Sequence, residues 1–154
     1  MLKKIILIIT FLITTSCGYE AMYSLKNSIK YNFSITDISF EGDRDVNQVI
    51  KRKLNNYIIN KKDKEFRLNI KSVTERLILA KDTAGEATTF KNNTTTTTEV
   101  FDETNLLTII SIEKSFKYDN MSNKFDLQQY EKELKRNLAE TIIDELTFKL
   151  SNIQ

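Results

Sequence analysis

Cys17 is the only thiol in a chain of 154 residues that holds no His, Pro or Trp, and those absences decide most of its chemistry. A disulfide within the chain needs two thiols, and zinc sites lose nearly all their usual ligands. Triad hydrolysis and His-based acid–base catalysis are excluded as well. The carboxylate neighbours Asp102 with Glu103 and Asp144 with Glu145 would not face each other on a helix, and no nucleophile has a partnering base. The expectation is a protein that is not an enzyme, with no catalytic residues, no metal site and no cofactor. Binding chemistry survives. Lys51, Arg52, Lys53, Lys61, Lys62, Lys64 and Arg67 gather cations offset by Asp63 and Glu65, a cluster that could meet phosphates through charge-assisted hydrogen bonds. The plainer account takes precedence: a solvated helix face with lysines favouring the helix C-terminus. A second basic group, Lys81 and Lys91 beside Arg76, flanks a tip containing Gly85.

The first sixteen residues must be set aside before a fold is read. Lys3 and Lys4 supply a positive start, Ile5 to Ile13 an apolar stretch, and Thr14, Thr15 and Ser16 lead to Cys17. That stretch is too short to cross a bilayer core, which takes about 20 helical residues. It reads as an export signal. Its end resembles a bacterial lipoprotein signal, in which a small residue precedes a Cys that is acylated and becomes the new N-terminus. Ser16 and Cys17 fit that pattern, while Thr14 stands where Leu is usual. Acyl chains contribute about 0.8 kcal/mol per buried methylene, so Cys17 would anchor the chain to a membrane without a spanning helix. By resemblance to lipoprotein sorting rules, Gly18 in place of Asp after the Cys implies the outer membrane, on its periplasmic side. Loss of Lys3 and Lys4 takes 23 basic residues to 21, equal to the 21 acidic ones, so no nucleic-acid partner is expected.

These groups need elements to hold them. Residues 1–16 form the signal, 17–32 a lipidated tether and 33–154 a single domain. Phe33, Ile35, Ile38 and Phe40 predict a short strand ending at Glu41-Gly42-Asp43. Asp45 with Gln48 reads as a capping box for a helix whose stripe is Val46, Val49, Ile50, Leu54, Tyr57 and Ile58. Phe66, Leu68 and Ile70 alternate with polar residues, and a phase slip near Val73 before Leu77 and Leu79 predicts a long strand with a bulge. A polar strand follows from Glu86 to Phe101. Its Thr94 to Thr98 run suits β structure and reads as an edge or solvent-facing strand. Leu106, Ile110, Ile112, Phe116 and Tyr118 line one face of the next strand, with Glu113, Ser115 and Lys117 on the other. The final helix is capped by Asp126 and Gln129, with Phe125 stapled onto Tyr130, and carries a stripe from Leu127 to Ile153. Phe40, Tyr57, Phe66, Phe116 and Tyr130 fall on these stripes and are core candidates. The order βαβββα predicts an α+β two-layer sandwich, a four-stranded mostly antiparallel mixed sheet with two helices on one face.

Several short pieces together resemble the LPS-assembly lipoprotein family of Gram-negative bacteria, the partners of the outer-membrane LPS translocon. They are Cys17-Gly18-Tyr19 with Met22-Tyr23, Leu79-Ala80-Lys81-Asp82 with Gly85, Phe116-x-Tyr118, Tyr130-Glu131 and Leu138-Ala139. Ala21 replaces a Pro of those relatives, and the Asn92 to Thr98 tract replaces a more hydrophobic strand. The resemblance implies a plug within the lumen of the LPS-translocating β-barrel that helps insert LPS into the outer leaflet and catalyses nothing. It also implies LPS contact at the hairpin of Arg76, Lys81 and Lys91. Two other classes stay open: a stand-alone lipid- or solute-binding periplasmic lipoprotein, and an accessory of a different outer-membrane assembly machine.

Overall fold

Alternation along four segments builds the sheet, and two apolar stripes cover one side of it. The computed structural model describes residues 31–58 and 61–153, so the signal, Cys17 and all but the last two tether residues lie outside the described residues. The expected order holds: β1 (Ser34–Gly42), α1 (Arg44–Ile58), β2 (Glu65–Lys81), β3 (Ala87–Asp102), β4 (Asn105–Asp119) and α2 (Lys124–Ser151). The strands lie in the order β1-β2-β3-β4, with β1 parallel to β2 and the other pairs antiparallel. This is the α+β mixed sheet with two helices that the pattern predicts.

In β1 the apolar spacing lengthens once because Thr36 is bulged out between Ile35 and Asp37, which returns Ile38 and Phe40 to positions opposite Leu68 and Ile70. Just before the strand, the Phe33 ring stacks between Tyr31 and Tyr57, at 6.3 and 4.7 Å. At the other end Gly42 turns the chain with φ +91°, and the carboxylate of Asp43 accepts from the N–H groups of Asp45 and Val46 at 3.0 and 3.2 Å. The cap is therefore Asp43, not Asp45: only the residue after the Gly42 turn has its side chain beneath the open amides of the first helical turn. Burial pushes the Asp43 carboxyl up, but the Val46 N–H and the Lys135 ammonium outweigh it and hold it below its ordinary 3.8. Its contribution is present above that value and fades as pH falls through the lower folded one.

α2 likewise starts earlier than expected. Asn123 caps it through Phe125 N–H at 3.0 Å, and Phe125 is 64% exposed instead of stapling the helix. Its stripe, Leu138, Ala139, Ile142, Ile143, Leu146 and Leu150, closes with Val46, Ile50 and Leu54 of α1 on Leu68, Ile70, Val100, Ile110 and Ile112. A second cluster of Phe90, Tyr118, Leu127 and Leu134 lies toward the β2–β3 hairpin. Rows of β2–β4 between the two clusters carry polar groups on the helix face. Ser72 pairs with Thr96 and Thr74 with Thr94, each at 3.2 Å, and Lys114 reaches Glu145 at 2.7 Å.

Three expectations change here. The Thr tract is not at an edge: β3 lies between β2 and β4, with Thr94, Thr96 and Thr98 buried under α2 and Thr95 and Thr97 on the open face. Cross-strand hydroxyl pairs make a polar interior strand tolerable at Thr94 and Thr96. No slip occurs at Val73, because the β2–β3 ladder runs unbroken from Arg67 to Ile78 and is irregular only around Leu79. Val73 and Leu77 instead point to the open face, and Ser72 and Thr74 take the inner positions. Leu106 also faces the open side, opposite Phe101, since Leu107 is bulged, and Phe116 is 43% exposed on the helix face.

A Cβ at Gly42 would lie 2.0 Å from the carbonyl oxygen of Ser72, and its backbone is left-handed. Gly42→Ala is expected to cost about 2 kcal/mol or more, read as a lower urea midpoint with an unchanged slope.

Candidate functional site

The hairpin group that the sequence singles out is divided by the pleat. Arg76 sits opposite Asn92 on the helix face, whereas Lys91 sits opposite Leu77 on the open face. Lys81 is exposed where the strands separate, paired through its backbone with Ala87. Arg76 is engaged within the fold. Its guanidinium lies 3.8 Å from the Phe90 ring centre, and its Nε lies 3.0 Å from Glu131 of α2. The same carboxylate accepts from the Tyr118 hydroxyl at 2.7 Å. Burial, then that bond to Glu131, pushes the Tyr118 phenol up to about 12. Arg76 thus ties the start of α2 to the hairpin.

Lys91 has a different neighbour. Lys117 of β4 is its register partner, so two ammonium groups project from the open face side by side, with Leu77, 44% exposed, on the other side of Lys91. Directly opposed residues have Cβ atoms about 4.5–5.5 Å apart, and like charges there repel. Neither lysine has an ion-pair partner among the described residues. Glu75 stands one row away, opposite Asn93, and Asp119 accepts from Thr89 at 3.2 Å. A bound anion would relieve the repulsion that the fold leaves in place. Lys117 shows in sequence only as one polar residue of an alternating strand. The register that sets it across from Lys91 depends on the bulge at Leu107 and on the turn between β3 and β4.

The larger basic group of α1 and the following segment does not form one patch. Lys53 reaches Asp144 at 2.9 Å, Arg52 reaches Glu140 at 3.9 Å, and Lys61 reaches Glu65 at 3.3 Å. The Lys64 ammonium donates to the Ile153 carbonyl at 2.6 Å, and Arg67 lies over Phe101 at 4.7 Å. Elsewhere a cleft of about 720 Å³ opens between the first turns of α1 and α2. Charged Asp45, Arg52, Asp126, Lys132, Glu133 and Arg136 share its walls with Val49, Met121 and Tyr130, so charged groups rim a partly apolar lining.

No family model matches the chain, and no curated protein matches it in sequence. Solved structures do match. Rare lipoprotein B from Shewanella oneidensis superposes with a TM-score of 0.55 at 13% identity, over 75% of this chain and 97% of that one. A minor lipoprotein from Acinetobacter baumannii gives 0.56 at 17% identity, over 75% and 90%. Lipoprotein B from Nitrosomonas europaea gives 0.53 at 12% identity, over 79% and 86%. The chain has the fold of these bacterial lipoproteins.

Arg76→Ala should lower stability by about 1–2 kcal/mol, through loss of the ring contact and the ion pair to Glu131. Arg76→Lys should recover only part of it, because a lysine does not stack its charge flat on Phe90. Full recovery by Lys in a denaturation series would show that charge alone acts here.

Proposed function

We propose that this chain is an outer-membrane lipoprotein, held through an acylated Cys17 on the periplasmic side, that seats as a plug in the LPS-translocating β-barrel and assists LPS assembly at the cell surface. The observation that carries the reading is the opposed pair Lys91 and Lys117 beside the exposed Leu77. Two ammonium groups at one spot, without ion-pair partners among the described residues, suit a phosphate, and an apolar neighbour suits a ligand whose phosphates adjoin acyl chains. The lipid A part of LPS has that chemistry. Lys81, exposed at the hairpin end, adds charge on the approach, while Arg76 supports the hairpin from the other face.

The anchor is supported by the apolar export signal that ends at Cys17 and by a fold shared with bacterial lipoproteins. The plug is supported by the open sheet face. Asn93, Thr95 and Thr97 give its middle neutral hydrogen-bonding groups, which tolerate a wet, enclosing lumen. In this reading the protein catalyses nothing and works without a cofactor. The α1–α2 cleft favours a second reading, a stand-alone periplasmic binder, since its volume suits a small ligand and its charged rim suits a polar solute.

Charge reversal separates the two. Each charge-assisted contact is worth about 1.5–3 kcal/mol, so Lys91→Glu with Lys117→Glu should weaken LPS binding by roughly a hundredfold or more. Reversal at Lys51 and Lys62 should leave it unchanged. Undiminished LPS affinity in the Lys91→Glu, Lys117→Glu protein would remove the LPS reading.

A further inference from the structure

Exposed apolar side chains gather at both ends of the sheet: Leu77, Ile78 and Leu79 near the hairpin, and a second group at the opposite end. β1 begins there at Ser34 beside Glu65, β3 ends there with Phe101 beside Arg67, and β4 begins there with Leu106 beside Phe101. Leu106, Leu107 and Ile109 are 51%, 43% and 55% exposed. From Arg67 to Leu77, the row of Lys91 and Lys117, is ten residues of β2, or about 33 Å. The apolar group and the lysine pair therefore occupy distant parts of the molecule.

Where the chain enters this body decides what covers the group. Tyr31 stacks on Phe33 immediately before β1, at the same end of the sheet. β4 lies three strands from β1, which at the usual strand spacing is about 14 Å. Cys17 precedes Tyr31 by fourteen residues, at most about 50 Å of extended chain. A body joined to its anchor by at most that length meets the surface that holds the anchor at high effective concentration, and the end where the chain enters is the one within reach. Charge does not oppose the contact: Lys61, Lys62, Lys64 and Arg67 at this end are balanced by Asp63, Glu65, Asp102 and Glu103.

We infer that Leu106, Leu107 and Ile109 form a lipid-contacting end that rests in the interfacial layer of the membrane carrying the acyl anchor, and so directs the hairpin away from it. The inference rests on acylation at Cys17. Its occupant is a bilayer surface with no required headgroup charge. Leu107 sits at a bulge with its backbone out of the ladder register, and its side chain is 43% exposed.

The absence of Trp makes the test direct, because one introduced indole reports alone. The full acylated protein carrying Leu107→Trp is reconstituted into phosphatidylethanolamine–phosphatidylglycerol vesicles with brominated acyl chains. Ile109→Trp supplies a second site on the same end, and Ala84→Trp at the hairpin tip is the control. Emission from the first two should fall about twofold, as for side chains roughly 5–10 Å inside the headgroup boundary, while Ala84→Trp stays unquenched. The difference should persist in high salt, since no net charge drives it. Protein that floats with the vesicles yet shows equal emission at all three sites overturns the lipid-contacting end and leaves the anchor standing. Protein that does not float overturns both.

Discussion

One interaction holds the molecule together: the burial of a single face of α2 across the helix side of β2, β3 and β4. Its stripe from Leu138 to Leu150 closes the main core, and Leu127 and Leu134 close the smaller one beneath the hairpin. Each large side chain buried there contributes about 1.5–3 kcal/mol against the cost of ordering the chain. α1 depends on the same helix. At 15 residues it is marginal alone, and it is held by packing against α2 together with Lys53–Asp144 and Lys135–Asp43. Since both helices occupy one side, the other side of the sheet is left open.

Much of this was legible before any coordinates. The helical stripes and the period of two from Phe66 to Ile70 each follow from one physical rule about which side of an element is wet; the bulge at Thr36 was not read from the Ile35 to Ile38 spacing. What escaped was whatever depends on register. Val73 and Leu77 break the period by moving to the open face, and a window of sequence cannot distinguish that from a bulge. The threonine run reads as surface because its composition is polar, yet cross-strand hydroxyl pairs satisfy Thr94 and Thr96 inside the sheet. Cap positions shifted because Asp43 and Asp45 offer the same oxygen, and only the Gly42 turn decides between them.

The candidate site was half legible for the same reason. Arg76, Lys81 and Lys91 are close in sequence space around one hairpin, but the pleat puts Arg76 and Lys91 on opposite faces. Glu131, which engages Arg76, is distant in the chain and is brought there by α2. Lys117 gains its meaning from standing across from Lys91. The hairpin and the start of β1 mark opposite ends of the sheet, about 33 Å apart from Arg67 to Leu77 along β2. Its Asn and Thr side chains give the open face between those ends a polar character compatible with an enclosing wall.

On the proposed function, a particular β-barrel encloses this body. Purification of the intact, acylated protein from detergent-solubilised outer membranes tests it most directly. The LPS-translocating barrel is expected as an equimolar companion that survives washing. Recovery of the chain by itself, or with a barrel of another assembly machine, would contradict it.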